Sequence, residues 1–255
     1  EKDLTDNILK LKKELQTFTY KPLPLKKFII RDPKTRVIRK SYFRDRIVHH
    51  TVVNILEPIY EKIFVYDSYA NRLNKGTLKA LNRFDKFKKK ISKNGKLIKN
   101  AKNNNMVKGY ALKADIKHFF DSVNHNILIK ILKRKIKDNR VIWLVNLILK
   151  NFKDKEKGMP LGNMTSQFFA NVYLNELDYF IKHKLKAKYY IRYVDDFIIL
   201  HKSKEQLNIW KEQINDFLKR ELKLELHKEK SRICSLSQGI DFVGFRNFYY
   251  FKLLR

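Results

Sequence analysis

The stretch from Tyr189 to His201, Tyr-Tyr-Ile-Arg-Tyr-Val-Asp-Asp-Phe-Ile-Ile-Leu-His, is the strongest constraint on what this chain can fold into. Two runs of aromatic and β-branched residues, Tyr189–Val194 and Phe197–Leu200, flank the adjacent acids Asp195 and Asp196. Such residues favour strands and aspartates favour turns, so the stretch predicts a tight β-hairpin with two carboxylates at its tip. Like charges side by side raise the free energy unless a cation or solvent answers them. An isolated pair of this kind reads as a solvated turn. A functional reading needs a third carboxylate and a place for a charged substrate.

Composition says what that substrate is made of. The chain has 255 residues, 44% of them hydrophobic, enough for one large domain or two small ones. It carries 57 basic against 26 acidic residues, a net charge of +31. So basic a protein repels itself unless it meets a polyanion, and counterion release favours a nucleic acid. A bilayer is a poor rival, because the longest apolar run, Val141–Leu149, is broken by Asn146 and too short to span one. No signal-peptide pattern opens the chain, and the single cysteine, Cys234, excludes an intrachain disulfide. Both suit a reducing cytoplasm. Cys234 itself reads as a small buried strand residue. The seven histidines make no Cys/His zinc spacing, and His49-His50 reads as the polar edge of a helix.

Along the chain, residues 4–15 predict an amphipathic helix ended by Pro22 and Pro24. Phe28–Ile30 and Arg36–Ile38 predict a hairpin joined through Asp32-Pro33-Lys34-Thr35, crowded with cations that suit phosphates. A helix follows from Arg44-Asp45-Arg46, then a loop through Ser68 to Thr77 and a helix with Leu78, Leu81 and Phe84. Lys86–Lys108, rich in Lys and Asn, reads as an exposed connection and a candidate for disorder. Tyr110–Ile116 alternates as a half-buried strand with Asp115 near its end. Asn124 can cap a helix from His125 to Leu132, and Val141–Leu149 predicts a buried one. After the loop Gly158–Asn163, Thr165-Ser166 can cap a long helix, Gln167–Leu185. The remainder predicts a helix over 203–222, a strand over Lys223–His227, and a strand pair, Ile233–Leu236 and Ile240–Phe245, turning at Ser237–Gly239.

Strands that pair through hairpins favour an α+β layer with helices against an antiparallel sheet. With the Asp115 strand beside the Asp195–Asp196 hairpin, three carboxylates converge at one sheet end. Hard divalent cations with oxygen ligands are the natural answer to that charge, and two ions can clamp both reacting oxygens of a phosphoryl transfer. The bottom-up expectation is metal-dependent phosphoryl transfer on a nucleic acid, with polymerase and nuclease both open.

Specific motifs add a resemblance. Ala114–Val123 (Ala-Asp-Ile-Lys-His-Phe-Phe-Asp-Ser-Val) resembles the first catalytic motif of reverse transcriptases, and Tyr193-Val194-Asp195-Asp196, beginning 78 residues after Asp115, their second metal-binding motif. Met159–Gln167 matches the motif before the template-contacting helix. Arg36–Arg46 and Ser68–Thr77 resemble fingers motifs of prokaryotic enzymes related to group II introns. Leu224–Ser231 and Gly239–Phe245 resemble the lysine-bearing motif and the primer-grip hairpin. The likeness covers roughly residues 20–250, in order. Two departures, Leu161 where most members carry Gln and Ser166-Gln167 where they carry Ser-Pro, are similar to the diversity-generating retroelements, whose enzymes copy RNA with frequent errors opposite adenine.

The resemblance implies an α+β right-hand polymerase fold with palm and fingers and a thumb absent or truncated, since the chain stops ten residues after Phe245. It implies an N-terminal helix (1–19), fingers (20–107), palm (108–125), fingers helices (126–157), palm (158–236), and primer grip with the start of a thumb (237–255). Asp115, Asp195, Asp196 and the Ile116 carbonyl would hold two magnesium ions, with manganese able to substitute. Lys230, or else Lys228, would stand near the leaving pyrophosphate. Lys34, Arg36, Phe120, Leu161 and Tyr193 would bind the nucleotide, with Phe120 rejecting a 2′-hydroxyl. Arg72, Gly162, Gln167, Gly239, Phe242 and Gly244 would meet template or primer. The implied partners are an RNA template, a DNA or RNA primer, deoxynucleoside triphosphates and a small basic accessory protein, in a bacterial or phage-encoded cytoplasmic system with no homo-oligomer indicated. Two rival expectations keep the same fold: a phage-defence reverse transcriptase making untemplated DNA, and a catalytically idle RNA-binding protein.

Overall fold

A computed structural model of the chain describes residues 3–32, 34–98, 106–152 and 156–255. In chain order it begins with α1 (Leu4–Gln16), β1 (Lys26–Ile30), β2 (Arg36–Lys40), α2 (Phe43–Glu61) and α3 (Thr77–Ser92). There follow β3 (Tyr110–Asp115), α4 (Phe119–Ser122), α5 (His125–Lys133), α6 (Asn139–Lys150) and α7 (Met164–Tyr179). The last part holds β4 (Tyr189–Tyr193), β5 (Asp196–His201), α8 (Lys204–Glu221), β6 (Arg232–Ser235), β7 (Ile240–Phe242), β8 (Phe245–Asn247) and β9 (Lys252–Leu254). Helices and antiparallel sheets together make the mixed α+β polymerase architecture that the sequence implied. Two compact units divide the chain: residues 1–59 with 124–168, and 60–123 with 169–255.

In the first unit β1 and β2 pair antiparallel, from Lys26 opposite Lys40 to Ile30 opposite Arg36. The end of β2 is stitched to the 161–163 loop. Arg39 N donates to Leu161 O (2.8 Å), Ser41 N and Oγ donate to Asn163 Oδ1 (2.9 and 2.6 Å), and Asn163 Nδ2 donates to Arg39 O (2.9 Å). Gly162 is what lets the two segments approach: it has φ +113°, and a Cβ there would lie 2.6 Å from Ile38 Cγ2. The start of α2 is fixed by Asp45, which accepts from the Tyr20 hydroxyl (2.8 Å) and Leu23 N (3.0 Å). Helices α5 and α6 pack together, N-capped by Asn124 and Asp138, as cap residues with free acceptor oxygens do.

The second unit is built on a four-stranded antiparallel sheet in the order β4-β5-β3-β6. One face, bearing Ala111, Ile191, Ile198 and Leu200, buries the apolar stripe of α3, Ala80, Phe84, Phe87 and Ile91, with Phe242. Burying a side chain like Phe84 fully contributes on the order of 2–3 kcal/mol, so this stripe is a principal anchor of the sheet. Helix α8 packs against β3 and β5 through the buried Leu207, Ile214 and Leu218. Among the described residues, no helix is long and apolar enough to cross a membrane.

Several local expectations are corrected. The polar run from Lys86 is no exposed connection at its start: α3 continues to Ser92, burying Phe87, Lys88 and Ile91. Its lysines masked an apolar spacing of three and four residues. The Lys88 ammonium, too buried to be solvated, donates to Phe248 O (2.7 Å) and pairs with Asp85 (2.8 Å). Residues 99–105 of that run lie outside the described residues, as do Pro33 of the predicted turn and 153–155 of the expected fingers helices. Thr165 and Ser166 do not cap: α7 begins at Met164, and Thr165 Oγ1 instead hydrogen-bonds His49 Nδ1 (2.9 Å). The long helix ends as α at Tyr179 and closes with a π-helical turn, Phe180–Lys184. Lys223–His227 forms no strand; only Leu226 bridges to Ile116. Ile240–Phe245 is itself a hairpin, β7 with β8, because Val243 and Gly244 take the left-handed conformation of a two-residue turn. Its upstream neighbour β6 pairs with β3 instead. Helix α3 falls in the second unit, because its buried face packs on the sheet.

Candidate active site

The predicted hairpin forms, with Tyr193 opposite Asp196 and Val194-Asp195 as its two turn residues. Val194 has φ +57°, a left-handed conformation that is costly for a β-branched side chain. What holds it is Arg192, wholly buried one strand position below the turn region. Arg192 Nη1 donates to Val194 O (2.9 Å) and to Asn171 Oδ1 (3.2 Å). Its Nε and Nη2 grip the two oxygens of Asp178 at 2.7 and 2.6 Å, a buried bidentate pair. Tyr190 donates its hydroxyl to the same carboxylate, and burial, with the Asp178 charge, pushes the Tyr190 pKa well up so that it stays a donor. Sequence reasoning missed Arg192 and Asp178. The available signal was a lone cation inside an otherwise apolar strand, which has to find a buried partner.

The third acid arrives where it was expected. Strand β3 lies beside β5 with Asp115 directly opposite Asp196, and antiparallel partners share a face. Asp115 is fixed at the backbone: its carbonyl accepts from His227 N (2.8 Å) and from Ser231 Oγ (3.3 Å). Burial, joined by the negative charges of Asp115 and Asp196, raises the Asp195 pKa from 3.8 to about 6, against a backbone hydrogen bond and the pull of Lys230. Burial also raises Asp196, partly offset by Lys113. Two ammonium groups reach the cluster: Lys230 Nζ is 3.5 Å from Asp115 Oδ1, and Lys113 Nζ is 3.1 Å from Asp196 Oδ1. Lys113 was not singled out by the sequence reading, although strand alternation puts it on the face of Asp115, two residues before it.

Among the described residues, no three His, Cys, Asp or Glu side chains are already gathered as a coordination sphere. The donor chemistry nonetheless fits a hard divalent ion. The oxygens are carboxylates, their mutual repulsion raises the Asp195 pKa, and the buried Asp196 Oδ1 is met by a single ammonium, that of Lys113.

The other expected site residues divide between the units. In the second unit, Phe120 on α4 is half-buried with its ring edge-on to Phe119 (centroids 5.2 Å apart), and the Tyr193 hydroxyl lies 3.2 Å from Thr77 Oγ1. Ile116 is buried at its bridge to Leu226. In the first unit, Lys34 and Arg36 are exposed on the β1–β2 hairpin, Leu161 is half-buried, and Gly162 and Gln167 are exposed. Two of the expected residues are turned inward. The Arg72 side chain is only 4% exposed: its Nε and Nη2 hold Glu61 and its Nη1 donates to Val65 O and Ser68 O, so it braces a loop. Phe242 is buried against Phe84 and belongs to the core. Gly239 (φ +76°) lies against the Phe248 ring, and Gly244 (φ +84°) has open space around it at the tip of the β7–β8 hairpin.

The chain is 26% identical to Protein YkfC of Escherichia coli, over 92% of this chain and 70% of that protein. It is 27% identical to the group II intron-encoded protein LtrA of Lactococcus lactis, over 94% of this chain and 49% of LtrA, so it spans about half the length of that relative. In fold it is similar to the apo telomerase of Candida tropicalis (TM-score 0.64, 15% identity, 88% of this chain and 47% of that one). It is also similar to the telomerase of Candida albicans in complex with a fragment of telomeric RNA (TM-score 0.60, 12% identity, 90% and 46%). Residues 26–247 match the family model described as reverse transcriptase (RNA-dependent DNA polymerase), and the chain belongs to that family of nucleotidyltransferase enzymes.

Proposed function

We propose that this chain carries the polymerising centre of an RNA-directed DNA polymerase, joining a primer 3′-hydroxyl to a deoxynucleoside triphosphate. The observation that supports it most is the register placing Asp115 against Asp196, with Asp195 in the adjoining turn and burial raising its pKa to about 6. In the reaction the 3′-oxygen bonds to the α-phosphorus, the bond to the bridging oxygen breaks, and pyrophosphate leaves. Magnesium, held by Asp115, Asp195 and Asp196 with the Ile116 carbonyl, would neutralise charge developing on the phosphate oxygens, a task manganese also performs. Lys230, an ammonium beside Asp115, is suited to meet the departing pyrophosphate. The half-buried ring of Phe120 is suited to exclude a 2′-hydroxyl, with Tyr193 also lining the nucleotide pocket. The exposed cations Lys34 and Arg36 are suited to bind phosphates. An RNA template and a DNA or RNA primer are the polyanions that a net charge of +31 favours.

Primer extension on an RNA template with magnesium tests this reading. Asp195→Asn is expected to abolish synthesis while leaving nucleic-acid binding within about twofold, since one removed charge in so basic a chain changes the field little. Incorporation at the wild-type rate by that variant overturns it.

The finer reading is error-prone copying, as in diversity-generating retroelements with a small basic accessory protein. It is supported by Leu161 and Ser166-Gln167 in the sequence. A branched apolar side chain removes a polar contact, and discrimination built on hydrogen bonds then weakens. Leu161→Gln is expected to lower misincorporation opposite adenine several-fold, read by sequencing the product. Equal error spectra for the two proteins count against it.

A further inference from the structure

The lysine at the acids that the sequence did not single out lies on the catalytic strand itself. Lys113 lies two residues before Asp115 on β3, and the pleat puts both side chains on one face. Across the ladder Asp115 pairs with Asp196, while Lys113 pairs with the fully buried Ile198. On its other side Lys113 faces Arg232 of β6. The Lys113 stem therefore lies against apolar surface and its ammonium reaches along the strand to Asp196 Oδ1, 3.1 Å away, with the side chain only 15% exposed. That oxygen is buried, and the Lys113 ammonium is what answers it. A half-extended surface lysine would be solvated and mobile; this one is held by the strand register at one oxygen of one acid.

We infer that Lys113 is a positioning residue: a built-in countercation held at Asp196 Oδ1 that sets how tightly the acid cluster takes up a divalent ion. Half-buried carboxylates gathered at one sheet end favour a positive charge beside them. Lys113 supplies it before an ion arrives, and an arriving ion must displace the ammonium from that oxygen. Lys230 differs: its side chain is 51% exposed and its ammonium lies farther from its acid, 3.5 Å from Asp115, so it is free to swing away. The inference rests on the proposed use of these acids as cation ligands, and it concerns this chain alone, with no nucleic acid or nucleotide needed.

The test is titration of the full chain with magnesium chloride alone, read by calorimetry and by the cation-dependent shift in melting temperature. Lys113→Met is expected to bind magnesium about tenfold tighter or more, because the ion no longer has to displace an ammonium from Asp196 Oδ1. The same variant is expected to melt lower than wild type when no divalent ion is present. Lys113→Arg keeps the charge and is expected within about threefold of wild type. In an Asp196→Asn background, where the oxygen in question has lost its charge, Lys113→Met is expected to change the affinity by less than about twofold. An unchanged midpoint for Lys113→Met overturns the inference, and so does an equal gain in the Asp196→Asn background, which would make Lys113 a bystander charge. Should Lys113→Met be unfolded without cation, refolding by magnesium in circular dichroism supports the inference and failure to refold overturns it. A wild-type protein that takes up no magnesium at Asp115 and Asp195 defeats the underlying metal assignment instead, a result separable from the others.

Discussion

Asp195 and Asp196 are neighbours in sequence but meet different surroundings. Asp195 occupies the turn, where burial and two nearby acids raise its pKa to about 6; Asp196 begins β5 and is answered by Lys113. A histidine far from them in sequence carries the clearest consequence for stability. His49 is 4% exposed and bonded to Thr165, and burial lowers its pKa from 6.5 to about 4. Asp45 opposes that shift and His50 adds to it. The unfolded chain therefore takes up the proton first as pH falls. Stability from neutral His49 is complete above about pH 6.5 and is lost as pH falls towards 4, to a limit of about 3 kcal/mol. Asp195, shifted upward, contributes the opposite sign, so the measurement is a comparison. His49→Asn is expected to flatten the fall in melting temperature between pH 7 and pH 5 relative to wild type. Parallel curves for the two proteins would show that burial of His49 is not what costs.

At the scale of elements, the acidic turn depends on the strand beneath it. Arg192 is the fourth of the five residues of β4, in a strand that otherwise reads Tyr-Tyr-Ile-Tyr, and it joins that strand to α7 through Asp178 and to the turn through Val194 O. Removing one partner of such a pair leaves the other charge buried and unanswered. Arg192→Met is expected to cost about 3–5 kcal/mol in denaturant unfolding, and Arg192→Met combined with Asp178→Leu is expected to recover much of it. A loss below about 1 kcal/mol for the single variant would mean that the pair is not what holds the hairpin. Elements with strong periodicity were legible beforehand: β3, β4, β5, α1, α5 and α8 lie where alternation, helical spacing or a cap residue put them. Helix α3 was legible only in its first half, because its second half is dominated by lysine. The β7–β8 hairpin was hidden by Val243, a residue no turn rule selects.

At the scale of the whole molecule, charge is the property that acts first. With 57 basic residues against 26 acidic, binding to nucleic acid is expected to be dominated by counterion release. A surface neutralising about six to ten phosphates loses about 10³- to 10⁵-fold in affinity between about 50 and 200 mM salt. Filter binding or anisotropy on an RNA–DNA duplex across that range is expected to give a steep logarithmic slope. A slope shallower than about −2 would mean that base and groove contacts, rather than this charge, carry the affinity.

The sequence by itself determined the hairpin, the two acids at its tip and the third acid 80 residues earlier, because strand alternation, turn chemistry and motif spacing are local and survive in one dimension. It also determined the appetite for a polyanion, which is a sum over residues and needs no geometry. Tertiary structure alone decided which charges answer which. It placed Lys113 on Asp196 and Arg192 on Asp178, turned Arg72 inward as a brace, and put Phe242 into the core. Those outcomes depend on ladder register and on which face of an element is buried. A cation one strand position from Lys113 would point to the opposite face of the sheet, where Leu112 and Ala114 are fully buried.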